Sequence, residues 1–86
     1  IATNKTTIKV SPNPSDGHIK IHSGSDLGKA KIEVISTDGK LVHCLQELAI
    51  PNGETELYLG DLRSGSYVLR IYFEQSTWEC VLIINR

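Results

Sequence analysis

The chain has 86 residues and a net charge of −1, with nine Lys and Arg set against ten Asp and Glu. The basic residues are scattered, which leaves no electrostatic footprint for nucleic acid or an anionic membrane. The longest apolar run, Val81 to Ile84, is far too short to span a bilayer. A 40% hydrophobic fraction with 22% charged residues describes one small folded domain rather than a disordered segment.

Because the sequence opens at Ile1 and holds no methionine, it is expected to be a piece of a longer protein. Residues 1–4 read as the remnant of a linker and residues 5–86 as the domain. The first strand is expected over Thr7 to Ser11, with Ile8 and Val10 on one side. Pro12-Asn13-Pro14-Ser15-Asp16-Gly17 then forces a turn: the prolines fix φ and lack a backbone donor, and Gly17 accepts positive φ. His18 to His22 alternates, with Ile19 and Ile21 inward. A polar loop, Ser23 to Lys29, leads to a third strand over Ala30 to Ser36, with Ala30, Ile32 and Val34 inward.

Thr37-Asp38-Gly39-Lys40 carries a hairpin signal, since Asp-Gly suits the positive φ of a tight turn. Leu41 to Ile50 is the longest run. It has apolar residues on both faces and is expected to bend or to change sheets. Pro51-Asn52-Gly53 closes it. A short strand over Thr55 to Leu59 and a loop from Gly60 to Gly65 follow. Ser66 to Phe73 has the strongest alternation, through Tyr67, Leu69, Ile71 and Phe73. Thr77 to Ile84 places Trp78, Cys80, Leu82 and Ile84 on one face. About seven strands with turn signals every ~8–12 residues predict an all-β, antiparallel sandwich, because a single sheet would leave its apolar face in water.

Candidate chemistry is thin. His18 and His22 share a strand face but stand roughly 13 Å apart at about 3.3 Å per residue, too far to hold one metal. His43 and Cys44 are sequence neighbours and so point to opposite faces of a strand. Glu54 and Glu56 read as a solvated edge, and Asp16, Asp38 and Asp61 as turn residues. Cys44 and Cys80 permit a disulfide without demanding one, and no Cys-x-x-Cys or His cluster accompanies them to make a zinc site. Asn4-Lys5-Thr6 matches the short glycosylation pattern, a weak signal at that length. Trp78 and Tyr67 read as core rather than as a sugar platform, and Tyr72 as an outward residue. No catalytic residue, cofactor or metal site is assigned, and the domain is expected not to be an enzyme.

Three stretches in order carry a resemblance: Val10 to Gly17 with Pro12-Asn13-Pro14, Ile32 to Val42 with Asp38-Gly39-Lys40, and Leu62 to Ile71 with Gly65 and Tyr67. A terminal apolar strand ending in Arg86 follows them. Together they resemble the C-terminal sorting domains of the type IX secretion system of Bacteroidetes. The resemblance implies an Ig-like β-sandwich that directs a larger protein from the periplasm through the outer-membrane translocon to the cell surface or the medium. There a sortase-like cysteine peptidase removes it, or it is retained on a component of the machinery, and the cargo is joined to anionic lipopolysaccharide or released. The terminal residues Val81, Leu82, Ile83, Ile84, Asn85 and Arg86 are the candidates for direct recognition, by offering a strand to a partner's sheet edge. The other motif residues read as mainly architectural. The chain departs from the family pattern where Phe commonly follows the Pro-Asn-Pro turn, here His18-Ile19, and in a tail that keeps a basic residue only at Arg86. The rival reading is an Ig-like carbohydrate- or protein-binding module attached to a secreted enzyme.

Overall fold

The computed structural model describes residues 7–86. The linker remnant at 1–4, the first residues of the expected domain and the Asn4-Lys5-Thr6 pattern lie outside the described residues. Seven strands follow in chain order: β1 (Ile8–Ser11), β2 (His18–Ser23), β3 (Gly28–Ser36), β4 (Leu41–Ile50), β5 (Gly53–Tyr58), β6 (Gly65–Phe73) and β7 (Ser76–Ile84). They form a three-stranded sheet in the order β1-β2-β5 and a four-stranded sheet in the order β4-β3-β6-β7. All strand pairs are antiparallel.

The alternation in the sequence places the core between these sheets. Ile19 and Ile21 from β2, Ala30, Ile32 and Val34 from β3, Tyr67, Leu69 and Ile71 from β6, and Leu82 and Ile84 from β7 are all buried. Trp78 and Cys80 pack half-buried against this cluster, so one face of Trp78 is spent on the core. Tyr72 turns to the opposite face, where it is half-buried: its hydroxyl donates to Glu33 Oε1 at 2.9 Å and accepts from Arg70 Nη1 at 3.2 Å.

Of the two alternatives for β4, a bend or a change of sheets, the strand takes the bend. It stays in one sheet throughout, and its register against β3 shifts twice, between Ala30 and Ile32 and between Val34 and Ile35. At each shift β4 carries one residue more than β3, so β4 holds two bulges. Each extra residue flips the inward set. This is why Leu45 and Leu48 both pack on the core while Leu41 and Val42 face outward.

The β-sandwich is the predicted architecture. In constant-type immunoglobulin domains the fourth strand lies with the first, second and fifth. Here β4 lies beside β3 in the other sheet. The turn between β3 and β4 also differs in detail from a two-residue Asp-Gly turn. Gly39 N–H donates to the Ser36 carbonyl at 2.9 Å, and Gly39 takes φ of +89°. Asp38 keeps negative φ and its carboxylate accepts from the Ser36 hydroxyl and the Lys40 N–H. Ser36 N–H donates to the Lys40 carbonyl at 2.8 Å, so the loop they close is three residues, Thr37 to Gly39, with its positive φ at the last one.

Cys44 and Cys80 are both free thiols. They lie on β4 and β7, the opposite edges of one four-stranded sheet. Three interstrand steps of about 4.8 Å separate them by roughly 14 Å, well beyond the ~7 Å reach of a disulfide.

Candidate functional site

The turn after β1 builds the site. Pro12 and Pro14 end the pairing of β1 with β2 and carry the chain across to the other sheet; both of their preceding peptide bonds are cis. Ser15 then makes a parallel bridge to Ile84 of β7. Its N–H donates to the Ile83 carbonyl at 2.8 Å, and its carbonyl accepts from Asn85 N–H at 2.7 Å. Asn13 continues the ladder with its side chain. Its amide Nδ2 donates to the Val81 carbonyl at 2.8 Å, and its Oδ1 accepts from Ile83 N–H at 2.9 Å. A side-chain amide has the donor and acceptor of a peptide unit, so Asn13 and Ser15 together act as a short strap along the outer edge of β7.

Ser15 is buried at 3% exposure, and its hydroxyl is also used: it donates to the His18 carbonyl and accepts from Gly17 N–H, each at 2.9 Å. Asp16 accepts from His18 N–H at 3.1 Å, and this bond first of all holds its carboxyl below the ordinary value. Gly17 has φ of +113°, and a Cβ there would lie 2.8 Å from Arg86 Nη2 and 3.3 Å from the Leu59 carbonyl. The glycine is required by its backbone, and a side chain there would push the Arg86 guanidinium aside.

Arg86 reaches into the loop between β5 and β6. Its Nε donates to the Leu62 carbonyl at 2.7 Å and its Nη2 to the Leu59 carbonyl at 2.9 Å. Its backbone N–H donates to Ser64 Oγ at 2.9 Å. The loop is fixed from its other side by Tyr67, whose hydroxyl donates to the Arg63 carbonyl at 2.7 Å. This bond from a tyrosine near the start of a strand to backbone upstream is the arrangement of a tyrosine corner. Gly65 begins β6 opposite Ile84. Its φ is not in the left-handed range, and a Cβ there would meet only the Tyr67 ring at 3.8–3.9 Å. Gly65 closes the expected loop, and its backbone does not require a glycine.

Two of the three sorting stretches thus meet at the tail. Pro12 to Gly17 clasps β7, and the 59–65 loop with Tyr67 holds Arg86. The hairpin of Asp38, Gly39 and Lys40 lies at the same end, since Ser36 is in register with Tyr67 and Tyr67 with Leu82. The hydrogen bonds of Asp38 stay within the hairpin, and the Ser36 hydroxyl, its largest cause, holds its carboxyl below the usual range. Within the tail, Leu82 and Ile84 are core residues, and Val81 and Ile83 are outward at 59% and 40% exposure. The side-chain half of the strap was not legible in the sequence. Asn13 and Val81 are 68 positions apart, and no pattern marks an Asn that will stand in for a peptide unit.

Another cluster lies on the outer face of the three-stranded sheet. Ser11 Oγ is 2.9 Å from His22 Nε2, and His22 Nδ1 is 3.3 Å from Glu54 Oε2. The connectivity is that of a nucleophile, a base and an orienting acid. Glu54 is also 3.7 Å from Lys20 and stands in water at 55% exposure. Acyl transfer needs preorganised donors for the oxyanion in a water-excluded setting, and an open sheet face, whose N–H groups lie along the ladders, is poorly built to give them. Among the described residues no group of three or more His, Cys, Asp and Glu is placed to hold a metal. Tyr58, at 59% exposure, lies 4.3 Å from the His18 ring. One such pair is not the planar row that a sugar platform needs.

The fold and this site define a class: a small antiparallel β-sandwich, two of whose three sequence motifs are spent on fastening its last strand. Comparison with protein families makes the class specific. The secretion system C-terminal sorting domain matches residues 9–85, and the chain belongs to that family, the sorting domains of type IX secretion. Comparison with curated proteins gives no match. Membership brings interaction with the type IX machinery and export to the cell surface or the extracellular space. No helix of the described residues is long and apolar enough to cross a membrane.

Proposed function

We propose that this chain is a non-catalytic address carried by a larger protein, taking it from the periplasm through the outer-membrane translocon. At the surface a sortase-like cysteine peptidase then separates domain from cargo, and the cargo is joined to anionic lipopolysaccharide or released. Retention on a component of the machinery is the other fate open to a domain of this family. The observation that carries the reading is the family match over residues 9–85. The spending of Pro12 to Gly17 on the tail supports it, because a turn that served only the local chain would not need Asn13 on Val81 and Ile83. The rival binding-module reading draws little support from Trp78 packed half-buried against the core and a single Tyr58–His18 pair.

The test is a fusion of residues 1–86 to a periplasmic reporter in a host that has the type IX apparatus. The reporter is expected at the surface or in the medium. A reporter that stays periplasmic, while an established sorting domain exports it, refutes the address. Mass analysis of the exported reporter then separates removal of the domain from retention.

A further inference from the structure

The terminal strand of a sorting domain invites a simple picture of recognition, in which its free edge is added to a partner's sheet. The geometry of β7 argues otherwise. Val81, Ile83 and Asn85 turn their outer backbone groups away from β6, and four of those groups are already bonded within the chain. The Val81 carbonyl and Ile83 N–H are held by Asn13, and the Ile83 carbonyl and Asn85 N–H by Ser15. Beyond the strap, the Arg86 guanidinium bridges the carbonyls of Leu59 and Leu62. A partner strand could reach this edge only by displacing the chain's own bonds.

We infer that Asn13 and Arg86 are positioning residues that hold the last strand with its edge closed, so that the secretion machinery reads this end as a folded surface and not as a free strand. The inference rests on the sorting role proposed above and specifies what is sorted on. Asn13 is exposed and makes both of its recorded bonds to β7, so its removal leaves the core intact. Arg86 bonds carbonyls that close the loop before β6, and its fork matches two acceptors where a lysine would serve one.

The experiment uses the same reporter fusion with four domains: wild type, Asn13→Ala, Arg86→Ala, and a stability-matched control. The control is Val34→Ala or Ile32→Val, chosen so that its melting temperature equals that of Asn13→Ala; both positions are fully buried and lie away from the strap. Amide exchange of Ile83 in the isolated chain reports the strap directly. It should quicken about tenfold in Asn13→Ala relative to the control, as befits one lost hydrogen bond.

The expected result is loss of most surface reporter in Asn13→Ala and Arg86→Ala at a temperature where every domain is folded, with the control exporting like wild type. Equal loss in the control would reduce both residues to stability and overturn the inference. Export raised by Asn13→Ala would mean that an opened edge is what the machinery wants, and would overturn it in favour of strand addition. Unchanged export with fast Ile83 exchange would overturn it too, since the strap would then be open and harmless. If the wild-type fusion itself stays periplasmic, the sorting role has failed, and this inference with it.

Discussion

Gly17 and Arg86 offer the sharpest energetic test of the clasp. In Gly17→Ala the backbone must hold an L side chain at φ of +113°, a strain of about 1–3 kcal/mol. The new Cβ would stand 2.8 Å from Arg86 Nη2, so the guanidinium moves and its bond to the Leu59 carbonyl is lost, about 1 kcal/mol more. Gly17→Ala should therefore cost about 2–4 kcal/mol, and at about 4–8 °C per kcal/mol for a domain of this size the melting temperature falls by at least about 8 °C. Arg86→Ala removes both carbonyl bonds and should cost about 1–2 kcal/mol. The double variant pays the strain but not the collision. Its loss should be about 1 kcal/mol smaller than the sum of the single losses. Urea unfolding of the four chains measures this. Additivity within about 0.5 kcal/mol would show that Arg86 does not occupy the space beside Gly17, and the clasp would be refuted.

Three further outcomes follow from the same contacts. Gly65→Ala should leave the melting temperature within about 4 °C of wild type, because its Cβ meets only the Tyr67 ring at van der Waals distance; a loss like that of Gly17→Ala would contradict this geometry. Glu33, held low first by the Tyr72 hydroxyl, Asp16 by the His18 N–H and Asp38 by the Ser36 hydroxyl all lie below their ordinary values of 4.5, 3.8 and 3.8. Depressed folded values stabilise the domain above the ordinary range, and that contribution is lost as pH falls through them. Urea midpoints should hold from pH 7 to about 5 and decline below about 4.5, less steeply in Glu33→Gln. Finally, Ser11→Ala should leave any background hydrolysis of p-nitrophenyl acetate unchanged; a Ser11- and His22-dependent rate would make the exposed trio an active site.

The fold was legible to the extent that burial alternates. Seven runs, six of them alternating, lie within one or two residues of the observed strands, since a sheet with one buried face must repeat at two. β4 defeated that logic because its two bulges break the period, and an apolar residue on either face then looks the same in sequence as a change of sheet. The site was half legible. Pro12, Asn13, Pro14 and Gly17 announce a turn by their backbone chemistry, but what the turn grips depends on a ladder between residues 13–15 and 81–85. Arg86 bonds main-chain carbonyls. Every residue has one of these, so no pattern points to the two it chooses. The cysteines were left open by sequence and are separated by topology, which only the strand order supplies.

The treatment of the sheet edges argues against assembly of the domain through an open strand. β1 is four residues long and is followed by Pro12, and a short edge next to a proline templates poorly. β5 carries Glu54 and Glu56 on its outward positions, opposite His22 and Lys20. β4 is broken by two bulges. β7, which would otherwise be the long regular edge, carries the strap over the Val81 carbonyl, Ile83 and Asn85, and by the same alternation Thr77, Glu79 and the Val81 N–H lie beyond it. Two outward residues and one N–H do not make a stable interchain ladder. The domain should therefore sediment as a monomer of 9.5 kDa across micromolar concentrations, and Asn13→Ala, which opens the one long edge, should be the variant that begins to self-associate. A wild-type dimer that Asn13→Ala leaves unaltered would show that the chain assembles through some other face, and that closing β7 is not what keeps it single.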